Sequence, residues 1–440
     1  VGSLLDECRA ITAQARRLGA DQAAATLSTS RGIDVEWRDG RIDRIQHRAE
    51  RGLNIELYVD GRYGASSTSD LRPAALERFL ADAIALTRLL ERDPHRCLPD
   101  PARYARELEL DLELFDATRG SIDTDARVAQ VAGLEAGVRA AAASLPLISV
   151  ETYVSDSESR GARVHTNGFE AERRGTRFLH GGQAVVQAEG GRRPSGSAGS
   201  VRRHRSELES PEGLARKIAD RAAHQLSLSK LRTGVYTAVV ENRAVARLLG
   251  MFLAPLYGSA LQQKSSLWDG RIGQRIAAPL LTLHDDPRRK RGLASALWDG
   301  DGFPALRRPV LVDGVLATYL IDDYYARKLG VEPTGGSLHN LAWSLGTRTL
   351  EQLIADVGEG VLLEGFLGGN SNSSSGGFSV GCVGRMIRGG KLAESFADAN
   401  LSGHFGTLFE HLTALGDDPD PNSAMSSPSC IFEGVQLSGI

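Results

Sequence analysis

The sequence predicts an α+β protein: an N-terminal antiparallel meander with covering helices, then a C-terminal β-rich, barrel-like domain. Three observations carry this. Short alternating runs are joined by Asp39-Gly40, Asp60-Gly61, Asn167-Gly168 and Asp313-Gly314. Such pairs favour tight hairpins because both positions accept positive φ. Helical stripes stand between the hairpins, as at Leu4, Leu5, Cys8, Ile11, Ala15 and Leu18. Phe378 to Ile387 alternates large and small residues, as a strand packed closely on other backbone does.

Composition bounds the rest. The chain has 440 residues, 41% hydrophobic and 24% charged, enough for two or three soluble domains. A formal charge of −3 gives no global pull toward nucleic acid or anionic membrane. No apolar run reaches the roughly 18 residues that a spanning helix needs. Val1 to Arg17 is amphipathic with acidic residues, unlike a signal peptide. Cys8, Cys97, Cys382 and Cys430 are scattered and form no Cys-x-x-Cys pair; reduced thiols in a cytoplasmic protein are the expectation.

In chain order, Leu4–Leu18 reads as a helix stopped by Gly19. Ala23–Ser28, Ile33–Trp37, Ile42–His47, Gly52–Val59 and Tyr63–Ser67 read as strands. Leu71-Arg72-Pro73 opens a helix to about Leu90. These make a first α/β subdomain, 1–92. Asp93–Asp111, rich in Pro, Asp and Arg, reads as a linker. A middle α/β subdomain, 112–230, follows. Its first helix spans Asp123–Ala143, with Asp125 and Arg127 on the polar side. Strands are expected at Ile148–Ser155, Arg163–Thr166, Phe169–Arg174 and Phe178–Glu189. Gly190–Gly199 reads as a low-complexity, flexible hairpin tip between Arg192-Arg193 and Arg202-Arg203-His204-Arg205. Ser210-Pro211-Glu212 starts a helix toward Leu228. The C-terminal β-rich domain, 233–440, opens with a strand Gly234–Val240 and a helix from about Ala244 through Leu261. Hairpins follow around Val310–Leu320, and Arg288–Arg291 reads as a solvated basic turn. Gly368–Gly377 resembles a phosphate-cradling loop in composition only, lacking the Gly-Lys-Ser/Thr ending and its helix, and reads as a flexible loop. Arg388-Gly389-Gly390-Lys391 turns into a strand Leu392–Phe396.

Several pieces carry a family resemblance: Thr334-Gly335-Gly336-Ser337-Leu338-His339-Asn340, Gly360-Val361-Leu362-Leu363-Glu364-Gly365-Phe366-Leu367-Gly368, Gly377-Phe378-Ser379, Gly389-Gly390-Lys391-Leu392, Leu401-Ser402-Gly403, Gly416-Asp417-Asp418 and Leu437-Ser438-Gly439. Gly61-Arg62-Tyr63-Gly64 adds an N-terminal piece. Their order resembles the TldD/PmbA family, the "modulator of DNA gyrase" proteins, and in particular its PmbA/TldE-like branch. The likeness is distributed over nearly the whole chain.

The resemblance implies a peptidase setting. Active TldD-like members are zinc metallopeptidases with a His-Glu-x-x-x-His motif and a later cysteine ligand. Zinc acidifies a water, and the glutamate takes its proton. In this chain Gly250, Met251 and Pro255 stand where His, Glu and His would be, and no histidine lies between His224 and His284. These residues supply neither ligand nor base. Cys382 sits where the zinc-bearing branch places its cysteine; it reads as a small buried residue or a relic of the ligand. His339 and His404 are the remaining candidates for a cryptic metal site with Cys382. His411, seven residues after His404, is too far along a helix to share one zinc with it. No Gly-x-Ser-x-Gly elbow with a paired histidine is expected.

The expectation is therefore a chain without catalytic or metal-binding residues and without a cofactor of its own, inactive alone. It would be a zinc-less subunit beside a zinc-bearing TldD-like partner in a dimeric or larger, cytoplasmic peptidase that degrades unfolded or leader peptides. Two alternatives stay open: a homodimeric peptide-binding protein or peptidase with a rebuilt site, and a DNA gyrase-related regulator.

Overall fold

The computed structural model describes residues 3–439; Val1, Gly2 and Ile440, which the Val1–Arg17 reading and the outer expected domains include, lie outside the described residues. Helix α1 (Leu4–Arg17) starts at a capping box in which Ser3 and Asp6 satisfy each other's backbone N–H. Strands β1 (Gln22–Arg38), β2 (Arg41–Val59) and β3 (Arg62–Thr68) follow, then α2 (Pro73–Thr87) with Pro73 in its first turn. After the linker come α3 (Thr124–Ala141), capped by Asp123, β4 (Leu147–His165), β5 (Glu170–Val186), β6 (Ser195–Arg202) and α4 (Pro211–Ala223), capped by Ser210.

All six strands form one antiparallel sheet in the order β3-β2-β1-β4-β5-β6. The β1–β4 ladder, from Ala24↔His165 to Arg38↔Glu151, joins the spans 1–92 and 112–230 in a single sheet. Helices α1 and α2 bury Cys8, Ile11, Leu80 and Ile84 against Leu27, Ile55 and Leu57. Helices α3 and α4 bury Leu134, Val138, Leu214 and Ile218 against Val150, Ala184 and Val186.

The C-terminal region contains β7 (Gly234–Val240), α5 (Asn242–Leu253), α6 (Gly258–Gln262), β8 (Leu283–Asp285), β9 (Arg308–Val312), β10 (Val315–Leu316), α7 (Asp323–Leu329) and β11 (Leu341–Trp343). It ends with α8 (Leu350–Val357), β12 (Gly360–Ser371), β13 (Gly377–Arg388), β14 (Lys391–His404), α9 (Phe405–Glu410), β15 (Leu412–Leu415) and β16 (Cys430–Ser438). Strands β14, β13, β12, β7 and β16 run in that order, and β14 pairs back onto β16, closing a five-stranded barrel with β15 appended. Only β12 and β7 pair in parallel within it. A smaller sheet, β10-β9-β8-β11, lies beside it. No helix among the described residues is long and apolar enough to cross a membrane.

The structure corrects several expectations. The short strands fuse in pairs into β1, β2, β4 and β5. Ser28–Gly32, polar enough to read as a break, pairs with Gly52–Arg48 on one side and Gly161–Ser157 on the other; two ladders satisfy its backbone without an apolar side chain. The tip expected to be flexible at Gly190–Gly199 contains most of β6. Its glycine serves close approach: a Cβ at Gly196 would stand 2.1 Å from the Ala222 nitrogen of α4. Arg127 is not on a polar face but buried at 2% exposure, because Asp156 meets it there. The helix expected through Leu261 breaks after Leu253, since Pro255 lacks the N–H that would continue it. Gly368–Ser371 belongs to β12, the tight turn being confined to 372–376, and the strand expected at Leu392–Phe396 runs on to His404.

Candidate functional site

The place to look is where α5 meets the barrel. Met251 is 9% exposed and belongs to the core that also holds Leu248, Phe252, Phe378, Val380 and Cys382. Phe252 packs its ring 4.4 Å from that of Phe409 and 5.3 Å from that of Trp268, and the Trp268 indole donates to the Phe252 carbonyl at 2.9 Å. Pro255 is buried in the turn after the helix. A side chain at Gly250 would meet nothing within 4 Å of its Cβ, so the glycine is not there for want of space. This face of α5 is apolar packing.

Cys382 points inward from β13 in line with Phe378 and Val380. Burial pushes its thiol up to about 12, only partly offset by a backbone hydrogen bond from Leu401. The zinc ligand is the thiolate, so a thiol held protonated is a poor start for a site, and Gly250, Met251 and Pro255 add no donor. The residues present do not fit a catalytic zinc. Among the described residues no three His, Cys, Asp or Glu side chains come together in an arrangement able to hold a metal.

The two candidate histidines do not converge on the cysteine. Gly377 pairs with His404 and Cys382 with Ala399 in one unbroken register. His404 therefore lies five positions along, roughly 16 Å at the rise of a strand, and on the opposite face. It caps α9, its Nδ1 accepting from the Thr407 N–H at 3.3 Å, and its ring stacks on Phe405. His404 and His411 flank the six-residue helix rather than sharing a face of it. His339 lies in the loop before β11 and is tied to β8: Asp285 accepts from its backbone N–H at 2.7 Å, lies 3.2 Å from its Nδ1, and pairs with Arg308 at 3.3 Å.

One string was not anticipated. Gly377-Phe378-Ser379-Val380-Gly381 has the letters of Gly-x-Ser-x-Gly, but it lies inside β13, where Ser379 accepts a 2.7 Å hydrogen bond from Asn400. A nucleophile elbow requires a strained strand-to-helix turn, which is absent here.

The basic stretches act as ties within the chain. Arg202 donates to the Pro421 carbonyl and to Asn422. Arg203 donates to the carbonyls of Gly292, Leu293 and Thr176. Lys290 and Arg291 pair with Glu113, and Arg291 also with Glu207.

Two cavities escaped the sequence, because their walls come from segments far apart in the chain. The larger, of about 780 Å³, runs between the middle of the N-terminal sheet, the extended segment 108–115 and residues 295–298. The smaller, of about 260 Å³, is polar and gathers Asp299, Asp301, Asp322 and Asp323 opposite Tyr58, Arg163 and His165. Burial and the neighbouring Asp299 push Asp301 up to about 7. Burial, with Arg163 beside it, brings His165 down to about 3.

Comparison with known proteins places this architecture. Family models described as PmbA/TldA metallopeptidase domain 1, central domain and C-terminal domain match residues 23–87, 107–226 and 233–439. A crystal structure from Bacteroides thetaiotaomicron, of a protein described as a candidate modulator of DNA gyrase, is similar with a TM-score of 0.92 and 36% identity, over 99% of this chain and 98% of that one. The Thermococcus kodakarensis TldE structure shares the fold, with a TM-score of 0.84 and 20% identity over 99% of this chain and 100% of that one. Metalloprotease PmbA of Escherichia coli O157:H7 is 25% identical over 431 residues, 95% of this chain and 92% of the relative. The chain belongs to the PmbA/TldA metallopeptidase family, also written TldD/PmbA.

Proposed function

We propose that this chain is a subunit of a TldD/TldE-type peptidase assembly that carries no zinc itself. It completes, in the cytoplasm, a dimeric or larger chamber in which a zinc-bearing TldD-like partner cuts unfolded or leader peptides. The observation that carries this reading is the packing of α5: Met251 lies in the core with Leu248, Phe252 and Cys382, Pro255 is buried in the turn that follows, and Gly250 brings no side chain. A metallopeptidase needs three protein ligands around its zinc and a base for the water, and that set is not offered here. Zinc chemistry would belong to the partner.

A second reading, a homodimer that binds peptide on its own, draws support from the groove of about 780 Å³. The formal charge of −3 argues against a nucleic-acid regulator. The test is peptidase activity on an unstructured peptide. The purified chain with added zinc should show no chelator-sensitive cleavage, and mixing with a zinc-bearing TldD-like subunit should yield a co-eluting, cleaving complex. Chelator-sensitive cleavage by the chain alone would refute the proposal.

A further inference from the structure

The floor of the large groove is built from small residues. Two rows of directly opposed residues cross the sheet beneath it: Gly52, Ser28, Gly161 and Arg173, then Glu50, Ser30, Ser159 and Gly175, each row running over β2, β1, β4 and β5. Leu27, Leu53 and Ala162, one residue away on three of these strands, lie in the core under α1 and α2. Since successive side chains alternate between faces, both rows point the other way, into the groove. Glycine and serine therefore leave the floor open between two charged ends, Arg173 on β5 and Glu50 on β2. Three strand spacings separate these ends, about 14 Å. Above the floor the wall is apolar, with Leu108, Leu110, Leu297 and Trp298.

The other arginines of the groove are engaged. Arg51, in the row between, points to the helix face and pairs with Glu7 of α1. Arg160 and Arg174, in the same row, share Glu158, and Arg203 is held by three backbone carbonyls. Arg173 has neither a carboxylate nor a hydrogen-bond acceptor among the described residues. Its side chain leans from β5 over β4: a Cβ on Gly161 would stand 3.4 Å from its Nε. Its guanidinium carbon lies 5.6 Å from the Trp298 ring centre. One corner of the groove thus joins an exposed guanidinium, an aromatic ring and an open floor. A guanidinium presents paired N–H donors to a carboxylate. An apolar wall with few polar groups suits a small organic ligand rather than a bare ion. The Glu50 carboxylate at the other end repels a second anionic group.

We propose that the groove binds a monocarboxylic acid with a long apolar tail, its carboxylate on Arg173 beside Trp298 and its tail across the glycine and serine floor against the leucines. A span of about 14 Å matches an extended chain of about ten carbons with its carboxylate. The inference goes beyond the subunit reading and does not depend on it.

The test uses the full chain and equilibrium dialysis with radiolabelled decanoate, with decan-1-ol and decanedioate as competitors. Decanoate should bind saturably at about one per chain, and roughly fivefold tighter than either competitor, the size of one partly exposed ion pair. Arg173→Gln should lower decanoate affinity by the same factor, leave decan-1-ol as it was, and leave thermal unfolding unchanged. No binding, several equivalents bound without saturation, decan-1-ol or decanedioate competing as well as decanoate, or decanoate affinity that survives Arg173→Gln would each overturn the inference. So would binding that disappears as the chain self-associates at higher concentration, since a second copy would then be what covers the groove. Peptide cleavage is read separately, so failure here leaves the subunit reading standing.

Discussion

Arg127 and Asp156 form a fully buried two-point ion pair: Nε to Oδ2 at 2.6 Å and the second nitrogen to Oδ1 at 3.0 Å, both side chains 2% exposed. The pair pins α3 to β4, and Arg119 adds a second cation to the same carboxylate at 2.7 Å. Removing one partner of such a pair strands a charge away from water, at about 3–5 kcal/mol. Arg127→Met leaves Asp156 with Arg119 and should fall at the lower end. Asp156→Asn leaves two cations without their anion and should fall at the upper end. Urea unfolding of both variants checks the order.

The four cysteines should separate by reactivity. Burial pushes Cys8 to about 11 and Cys382 to about 12, and raises Cys430 well above the ordinary thiol value. Cys97 is exposed. Iodoacetamide at pH 8 should therefore modify Cys97 alone in the native protein and all four after unfolding, as read by mass spectrometry. Rapid native modification of Cys382 would mean that its pocket opens.

Asp301 makes stability depend on pH in an unusual direction. Its folded pKa, about 7, is above its ordinary 3.8. The folded state thus holds a proton that the unfolded state has lost, and stability falls as pH rises from about 4 to 7. His165, brought down to about 3, acts in the opposite sense below about 6.5. Comparison with Asp301→Asn isolates the aspartate, because asparagine still accepts from the Asp323 N–H as Asp301 does. The variant should be more stable than the parent at pH 8 and gain little at pH 4. A constant difference across that range would count against the burial argument.

The barrel should not tolerate a methyl group at Gly384. A Cβ there would stand 2.0 Å from the Leu362 carbonyl oxygen on the paired strand. Gly384→Ala should cost roughly 1–3 kcal/mol or more, as overpacking does, and be visible in the unfolding midpoint. Gly250→Ala, with open space at its Cβ, should be neutral or slightly stabilising because alanine favours the helix.

What could be read from the sequence was local. Asp39-Gly40, Asp60-Gly61, Asp313-Gly314 and Gly389-Gly390 all carry positive φ at both positions, so two letters fixed each hairpin. Ser210 caps α4 where the Ser210-Pro211-Glu212 start signal put it. What could not be read depended on distant partners. Arg127 looks like a surface residue until Asp156 arrives from β4. Gly196 looks like a flexible loop until α4 lies against it. The groove has no signature because β1, β2, β5 and residues 295–298 each supply one wall. The candidate zinc positions were legible as letters, while the 16 Å estimate between Cys382 and His404 needed the β13–β14 register.

The most direct measurement is the zinc content of the chain purified alone and without chelator. The account predicts less than about 0.1 zinc per chain, since three-ligand sites keep their metal on purification. About one zinc per chain, lost on Cys382→Ala, would contradict it and place a working metal centre in the core around α5.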